Sequence, residues 1–92
     1  MSREVKQINV RVFGKVQGVY FRQSVLQQAL DLGIEGLVMN EPDGSVFIVA
    51  KGPEKILNEL VSFCRKGPER ALVKHVHIEE EDVGDLKGFR IL

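Results

Sequence analysis

Residues 14–22 read Gly-Lys-Val-Gln-Gly-Val-Tyr-Phe-Arg and stand between an alternating strand and an amphipathic helix. Gly14 and Gly18 permit a positive φ, so successive N–H groups of this loop can point into one concavity. The helix that follows adds free N–H groups and the positive end of its dipole, which together favour phosphate. Arg22 falls in or near the first helical turn, where its guanidinium can bind the same anion. The stretch predicts an anion site, against the alternative of an ordinary Gly-containing loop with a surface arginine.

The segments on either side of this loop have clear periodicities. Residues 6–13 alternate, with Ile8, Val10 and Val12 on one side, which predicts a strand with one buried face. After the Gly14–Phe21 loop, apolar residues recur at helical spacing through about residue 32, and Gly33 is placed to end that helix. The apolar residues of the helix are Val25, Leu26, Ala29 and Leu30.

The middle of the chain predicts a hairpin and a second helix. Two strands, Ile34 to Asn40 and Ser45 to Lys51, are joined by the turn Glu41-Pro42-Asp43-Gly44, because proline followed by Asp-Gly favours a turn. The second helix starts at Gly52-Pro53-Glu54, with Pro53 in its first turn, and stops at Gly67-Pro68. Its apolar stripe consists of Ile56, Leu57, Leu60, Val61 and Cys64.

The remaining residues predict two further strands. Residues 72–78 alternate, which places Leu72, Val76 and Ile78 on one face. The opposite face then carries Val73, His75 and His77. The acidic run 79–82 is expected to leave the sheet as a solvated charged segment. Residues 84–88 indicate a loop, and Phe89 and Ile91 a short last strand.

The order β-α-β-β-α-β, with a short terminal strand, predicts an α+β fold of the ferredoxin-like type. Each helix has one apolar stripe, so both cover the same face of an antiparallel sheet. Right-handed crossovers place the first and third strands side by side in the middle. The 92 residues suffice for one domain, residues 1–92, with a single core. Many activities occur on this fold, so function has to be argued from the site.

Composition restricts the classes of partner. The 13 basic and 13 acidic residues cancel, which argues against binding to nucleic acid or to an anionic membrane. No apolar run approaches the length of a bilayer span, and the start Met-Ser-Arg-Glu is not a secretory signal. A single cysteine, Cys64, fits a reducing compartment. We expect a cytoplasmic protein and, because nothing indicates an obligate interface, a monomer.

Other chemistries find less support in the sequence. His75 and His77 share a face and could bind zinc, but no third ligand is evident, so surface histidines are the favoured interpretation. Cys64 lies on an apolar stripe and is interpreted as a core residue. RNA-recognition domains share the order of elements but need several stacking aromatics on the middle strands, where only Phe47 and Phe13 occur. Metal-carrying ferredoxin-like domains need a Cys-x-x-Cys, which is absent.

Asn40 ends an apolar strand just before the hairpin turn. Taken alone, its amide would most simply cap the turn, although it could hold a water. In a ferredoxin-like fold, however, the loop after the first strand and the far end of the second strand can meet near one edge. The phosphate-binding loop, Arg22 and Asn40 would then share one pocket, with no base, nucleophile or metal.

These two stretches together resemble the motifs of the acylphosphatase family. Residues 14–22 match its first motif, whose distinctive core is Val-Gln-Gly-Val-x-Phe-Arg, and residues 36–46, continuing to Gly52, match its second. The resemblance covers nearly the whole chain. It departs at Leu37, where an aromatic is common, at Met39, where a basic residue is common, and at Tyr20, where a small residue is common. We expect the first two to alter hairpin packing and surface charge, and Tyr20 to narrow the mouth of the pocket.

The resemblance implies hydrolysis of small acyl phosphates to a carboxylate and phosphate, with phosphate as product or inhibitor. It implies that Arg22 binds the phosphoryl group, that Asn40 orients the attacking water, and that no metal or other cofactor takes part. The backbone N–H groups implied to bind phosphate belong to Gln17, Gly18, Val19, Tyr20, Phe21 and Arg22. A module of a larger carbamoyl-phosphate-processing protein, or one without activity, is the alternative; intact Arg22 and Asn40 favour a free-standing enzyme.

Overall fold

The structure is a computed structural model and describes residues 4–92, so the first three residues of the predicted domain and most of the Met-Ser-Arg-Glu start lie outside the described residues. Its elements are β1 (Val5–Lys15), α1 (Phe21–Leu32), β2 (Glu35–Asn40), β3 (Val46–Pro53), α2 (Glu54–Lys66), β4 (Leu72–Glu81) and β5 (Phe89–Ile91). Neither helix within residues 4–92 has the length and apolar character needed to cross a bilayer.

The strands form one sheet in the order β4-β1-β3-β2-β5. β1 pairs antiparallel with both β3 and β4, and β2 pairs antiparallel with β3. The predicted ferredoxin-like α+β arrangement is therefore confirmed, with β1 and β3 side by side as expected. β5, whose pairing the sequence does not indicate, runs parallel to β2 and makes the sheet mixed.

The core lies between one face of the sheet and the two helices. Period-2 alternation directs Val10 and Val12 of β1 toward the helices, where both are fully buried. The helices meet them with one apolar stripe each, as the spacing predicts. The buried helix residues are Phe21, Val25 and Ala29 of α1 and Leu57, Leu60, Val61 and Cys64 of α2.

The connections between elements follow from local chemistry. Gly33 ends α1 at φ 70°, and its N–H donates to the carbonyls of Ala29 and Leu30, as its predicted role requires. Gly44 adopts φ 94° in the hairpin turn. Pro53 precedes α2 as its N-cap with an extended ψ of 145°, instead of forming part of the first turn.

A β-bulge changes which residues of β4 face the core. The register against β1 shifts between Phe13 and Gly14, so that one extra residue of β4 is accommodated there. An extra residue reverses the alternation beyond it. The prediction that Leu72 shares a face with Val76 is therefore wrong: Val73 and Val76 both pack against the core, and Leu72 is 65% exposed.

Three of the four acidic residues 79–82 remain in β4, contrary to the prediction that the run leaves the sheet, and Asp82 follows the strand. Glu81 pairs with Gln7 in register, and its carboxylate accepts hydrogen bonds from the side-chain amides of Gln7 and Asn9. The following loop is tied to the same place, because the N–H of Gly84 donates to Oε1 of Gln7 at 2.8 Å and Nζ of Lys51 donates to the Gly84 carbonyl at 3.1 Å. These polar partners hold the strand end on the sheet.

Candidate active site

A cavity of about 620 Å³ is lined by the loop before α1, the first turn of α1, the end of β2, the connection after α2, and β5. Its lining residues come from the loop before α1, from the first turn of α1, and from three distant parts of the chain. They are Val16, Gly18, Tyr20, Phe21, Arg22, Gln23, Asn40, Arg70 and Ile91. Two of these residues are cationic and none is acidic, although the chain as a whole is neutral.

The loop before α1 has free backbone donors. Among residues 4–92, the N–H groups of residues 17–22 donate to no backbone carbonyl. Tyr20 is the N-cap of α1 and its side chain makes no capping hydrogen bond, so the first turn of the helix also keeps its donors. Free N–H groups at the positive end of a helix dipole form a site for an anion.

The backbone of the loop depends on two residues with positive φ. Gly18 adopts φ 74° and Tyr20 φ 64°, and Tyr20 is the one non-glycine residue with positive φ among the described residues. For a residue with a Cβ this conformation costs roughly 1–2 kcal/mol. The Tyr20 carbonyl accepts hydrogen bonds from the N–H and the hydroxyl of Ser24, at 3.0 and 2.8 Å, which hold the strained turn in place.

The side chain of Gln17 fastens the loop to the β2–β3 turn. Its Nε2 donates to the carbonyls of Glu41 and Ser45, at 2.8 and 3.0 Å. Because Glu41 directly follows Asn40, these two bonds bring the end of β2 beside the loop. The sequence predicts only a backbone role for Gln17, and this second role of its side chain was missed.

Arg22 lies in the first turn of α1 with its side chain half-buried. Its guanidinium makes no hydrogen bond or ion pair with any residue between 4 and 92, whereas Arg11, for example, pairs with Glu41 at 3.5 Å. A half-buried guanidinium without a carboxylate partner, next to free N–H groups, is suited to bind an anion.

Asn40, at the end of β2, also lines the cavity. Its Oδ1 is buried and is the single buried side-chain oxygen or nitrogen within residues 4–92 that has no hydrogen-bond partner. Leaving such an acceptor unsatisfied costs about 1–3 kcal/mol, and a bound water or a catalytic role would account for it. The alternative in which the Asn40 amide caps the turn is not observed: the turn is closed by backbone bonds from the N–H of Glu41 to the Ser45 carbonyl and from the N–H of Gly44 to the Glu41 carbonyl.

The sequence locates most of this site. Gly18, Tyr20, Phe21, Arg22 and Asn40 line one cavity, as expected from the two motifs, and Tyr20 stands at its edge with 75% of its surface exposed. Gln17 and Val19 are not among the residues that line the cavity: the Gln17 side chain bonds to the β2–β3 turn, and Val19 is buried in the core.

Gly14 belongs to β1 rather than to the loop, which corrects the predicted Gly14–Phe21 loop. A Cβ at Gly14 would lie 2.1 Å from the carbonyl oxygen of Leu72, so this glycine permits the close approach of β4 at the bulge.

Four lining residues were not predicted: Val16 and Gln23, which flank the predicted loop residues in sequence, and Arg70 and Ile91, which lie far from them. Arg70 lies in the connection after α2, which the sequence indicates only as a helix stop. Ile91 is on the short strand β5, whose neighbour in the sheet could not be assigned from its own residues. An arginine shortly after a Gly-Pro helix stop is a common sequence pattern, so it does not by itself indicate a functional site.

The other candidate groups lie outside the cavity. No three His, Cys, Asp or Glu side chains in the described part of the chain are grouped so as to hold a metal ion. His75 stacks on Phe13 at 5.8 Å between ring centroids, and His77 lies 3.3 Å from the Glu79 carboxylate. Burial raises the pKa of the Cys64 thiol to about 12, which is the property of an unreactive core residue.

The face of the sheet opposite the helices carries the two aromatics that an RNA-binding alternative would need. The guanidinium of Arg11 lies over the Phe47 ring, 4.9 Å from its centroid, and His75 stacks on Phe13. Each ring contacts a side chain of the protein itself, and RNA-recognition domains display two or three stacking aromatics. Leu37 and Met39, the departures in the second motif, are half-buried on this same face.

The chain is thus an α+β domain of the ferredoxin-like type with a cavity suited to an anion at the start of its first helix. The family model described as Acylphosphatase matches residues 8–91. The acylphosphatase of Rubrobacter xylanophilus is 43% identical over 91 residues, which are 98% of this chain and 83% of that protein. The chain therefore belongs to the acylphosphatase family and is a hydrolase.

Solved structures agree with this assignment. An acylphosphatase from Coxiella burnetii superposes with a TM-score of 0.92 at 40% identity, over 96% of this chain and 93% of its own. Acylphosphatase from Bacillus subtilis also gives a TM-score of 0.92, at 32% identity, over 97% of this chain and 99% of its own. Both the fold and the length of the domain are therefore shared with these hydrolases.

Proposed function

We propose that this protein hydrolyses acyl phosphates, with Arg22 and the N–H groups of residues 17–22 binding the phosphoryl group and Asn40 holding the attacking water. The observation that carries the proposal is the buried, unpartnered Oδ1 of Asn40 in the same cavity as the unpaired Arg22 guanidinium. A carbonyl oxygen accepts a hydrogen bond from water, and the guanidinium and the backbone N–H groups donate hydrogen bonds to a dianion.

The reaction suits a cavity without an acid or a base. Water adds its oxygen to phosphorus while the bond from phosphorus to the acyl oxygen breaks, giving a carboxylate and dihydrogen phosphate. The departing carboxylate has a conjugate acid with a pKa of about 4, so it leaves without protonation by the protein. No Asp, Glu or His lines the cavity, and the substrate phosphoryl oxygens take the proton that water loses.

Positioning and charge stabilisation are then the contributions of the protein. A loose phosphoryl-transfer transition state places negative charge on the equatorial oxygens, which Arg22 and the loop amides stabilise. Asn40 aligns the water on the opposite side of phosphorus from the leaving carboxylate. This chemistry needs no metal or other cofactor. Because all the residues come from one chain, we expect a monomeric enzyme, which sedimentation at equilibrium would test.

From the single cysteine we also expect a cytoplasmic enzyme, which fractionation of the source cells would test.

The role of Arg22 is tested by Arg22→Ala with benzoyl phosphate as substrate and a chelator present. We expect kcat/KM to fall by about a hundredfold or more, corresponding to roughly 3 kcal/mol of transition-state stabilisation. Arg65→Ala, which removes an exposed arginine outside the cavity, is the control and should keep wild-type activity. Near-normal turnover by Arg22→Ala would contradict the assignment.

The role of Asn40 is tested by separating turnover from phosphate binding. We expect Asn40→Ala to lose most of kcat while inorganic phosphate still inhibits or binds with near wild-type affinity, because the guanidinium and the loop amides remain. Asn58→Ala, at an exposed position of α2, is the matched control. Weakened phosphate affinity with intact turnover would contradict the role of water holder. Wild-type protein that fails to hydrolyse acyl phosphates would contradict the whole proposal.

A further inference from the structure

Arg70 is a second cation in the cavity that the mechanism above does not use. It lines the cavity together with Arg22, while its neighbour Glu69 does not. No hydrogen bond or ion pair joins its guanidinium to any residue between 4 and 92. Two unpaired guanidinium groups in a cavity with no acidic residue in its lining create a local preference for negative charge.

The position of Arg70 is fixed relative to α1. The N–H of Ala71 donates to the Pro68 carbonyl at 3.0 Å, which closes a tight turn with Arg70 near its apex. Gly67, just before this turn, adopts φ 72°, and a Cβ placed there would lie 2.8 Å from Cε2 of Phe21. The turn thus packs directly on the first residue of α1, next to Arg22, and the backbone of Arg70 is held at the cavity.

The cavity has more room than the phosphoryl group needs. Its volume of about 620 Å³ is that of a pocket for a whole small molecule, and a phosphoryl group fills only a small part. In the proposed mechanism Arg22, Asn40 and the free N–H groups of the loop surround the phosphoryl end of the substrate. The remaining wall includes Val16, Tyr20 and Ile91, which suit the carbon atoms of an acyl group.

We propose that Arg70 is a specificity-determining residue that binds a second negative charge on the acyl part of the substrate, so that acyl phosphates with an additional carboxylate or phosphate are preferred. This proposal rests on the proposed function, because it assigns the acyl end of the same substrate. Because Arg70 is exposed, its ion pair with the substrate stays partly solvated. Its contribution to substrate binding therefore decreases as salt is added.

The test compares two substrates that differ by one charge, benzoyl phosphate and 4-carboxybenzoyl phosphate. The measured quantity is the ratio of their kcat/KM values in wild type, Arg70→Gln and Arg90→Gln. We expect Arg70→Gln to lower the preference for the carboxylated substrate roughly two- to fivefold, the range for an ion pair at an exposed site. Arg90→Gln removes the same charge from an exposed residue outside the cavity and should leave the ratio unchanged.

A second measurement separates this proposal from the proposed function. Phenacylphosphonate and 4-carboxyphenacylphosphonate, in which a methylene replaces the bridging oxygen, bind without turnover, and calorimetry gives their affinities for the three proteins. We expect Arg70→Gln to lower the affinity for the carboxylated analogue by the same factor, and this decrease in affinity to be smaller at high salt. An unchanged ratio in both assays, or equal losses for both members of each pair, would overturn the role of Arg70. Discrimination in binding without any hydrolysis by the wild type would instead overturn only the proposed function.

Discussion

The loop before α1 is held to the β2–β3 turn by one side chain, and replacing Gln17 by alanine tests this connection. The substitution removes the hydrogen bonds to the Glu41 and Ser45 carbonyls, at 2.8 and 3.0 Å. Each carbonyl keeps one other partner, since Glu41 accepts from Gly44 at 3.1 Å and Ser45 accepts from Glu41 at 2.9 Å. No acceptor is orphaned, so the cost is about 1 kcal/mol per bond and about 2 kcal/mol in total.

This free energy converts to a measurable change in Tm. For a domain of this size each kcal/mol corresponds to about 4–8 °C, so Gln17→Ala should lower Tm by about 8–16 °C. The matched control is Gln27→Ala, which removes one exposed bond to Asp31 at 3.0 Å. A pair of this kind contributes about 0.2–0.5 kcal/mol, so the control should lower Tm by no more than about 4 °C. Circular dichroism on heating measures both.

The same variant should also lose activity, because the loop no longer has a fixed position relative to Asn40. At a temperature where both proteins are folded, we expect kcat for benzoyl phosphate to fall for Gln17→Ala and to stay unchanged for Gln27→Ala. Gln17→Glu keeps the shape but directs carboxylate oxygens at two carbonyls, so it should be less stable than Gln17→Ala. A decrease in Tm no larger than that of the Gln27 control, or a wild-type Tm for Gln17→Glu, would refute the reasoning.

Three further predictions concern the scaffold. Gly14→Ala should destabilise far more than Gly33→Ala on chemical denaturation, because its Cβ would meet backbone at 2.1 Å while a Cβ at Gly33 has nothing within 4 Å; equal losses would contradict this. Burial raises the pKa of the Cys64 thiol from 9.0 to about 12. The stability that the buried neutral thiol contributes is therefore present below pH 9 and is lost as the pH rises toward 12. Cys64→Ala should remove this decrease in the free energy of unfolding, and an unchanged decrease between pH 9 and 12 would contradict the prediction. The Ser45 hydroxyl and N–H donate to the Asp43 carboxylate and hold its pKa below the ordinary value. The carboxylate therefore stabilises the turn fully above a pH of about 4, and this stabilisation is lost as the pH falls through the lowered pKa. Ser45→Ala should raise the pKa of Asp43 in an NMR titration, and an unchanged pKa would contradict the role of these hydrogen bonds.

Local patterns predict the elements of this chain well because each pattern has a local physical cause. The alternation around Val10 and Val12 and the helical spacing from Val25 to Ala29 depend only on which side of one element is buried. Gly33 depends only on the positive φ that a helix end requires. Arg22 and Asn40 could be placed in one pocket because the order of elements restricts the possible topologies.

The failed predictions concern contacts between segments that are distant in sequence. The bulge opposite Gly14 depends on two strands meeting, so the alternation of β4 alone misassigned Leu72. The acidic residues of β4 remain in the sheet because the amides of Gln7 and Asn9, far away in the sequence, supply donors for Glu81. Arg70 reaches the cavity only through the packing of its turn on α1. None of these partners can be identified from a short window of sequence.

The parallel edge strand β5 lines the cavity and is synthesised after Arg22 and Asn40, so the cavity is completed only after both polar groups are made. Ile91 forms part of the wall, and its partner in the sheet, Val38, lies on the strand that carries Asn40. During synthesis Arg22 and Asn40 leave the ribosome well before residues 89–91. A nascent chain can therefore hold both polar groups of the site and still lack one side of the pocket, so we expect full affinity for substrate only after β5 has added to the sheet.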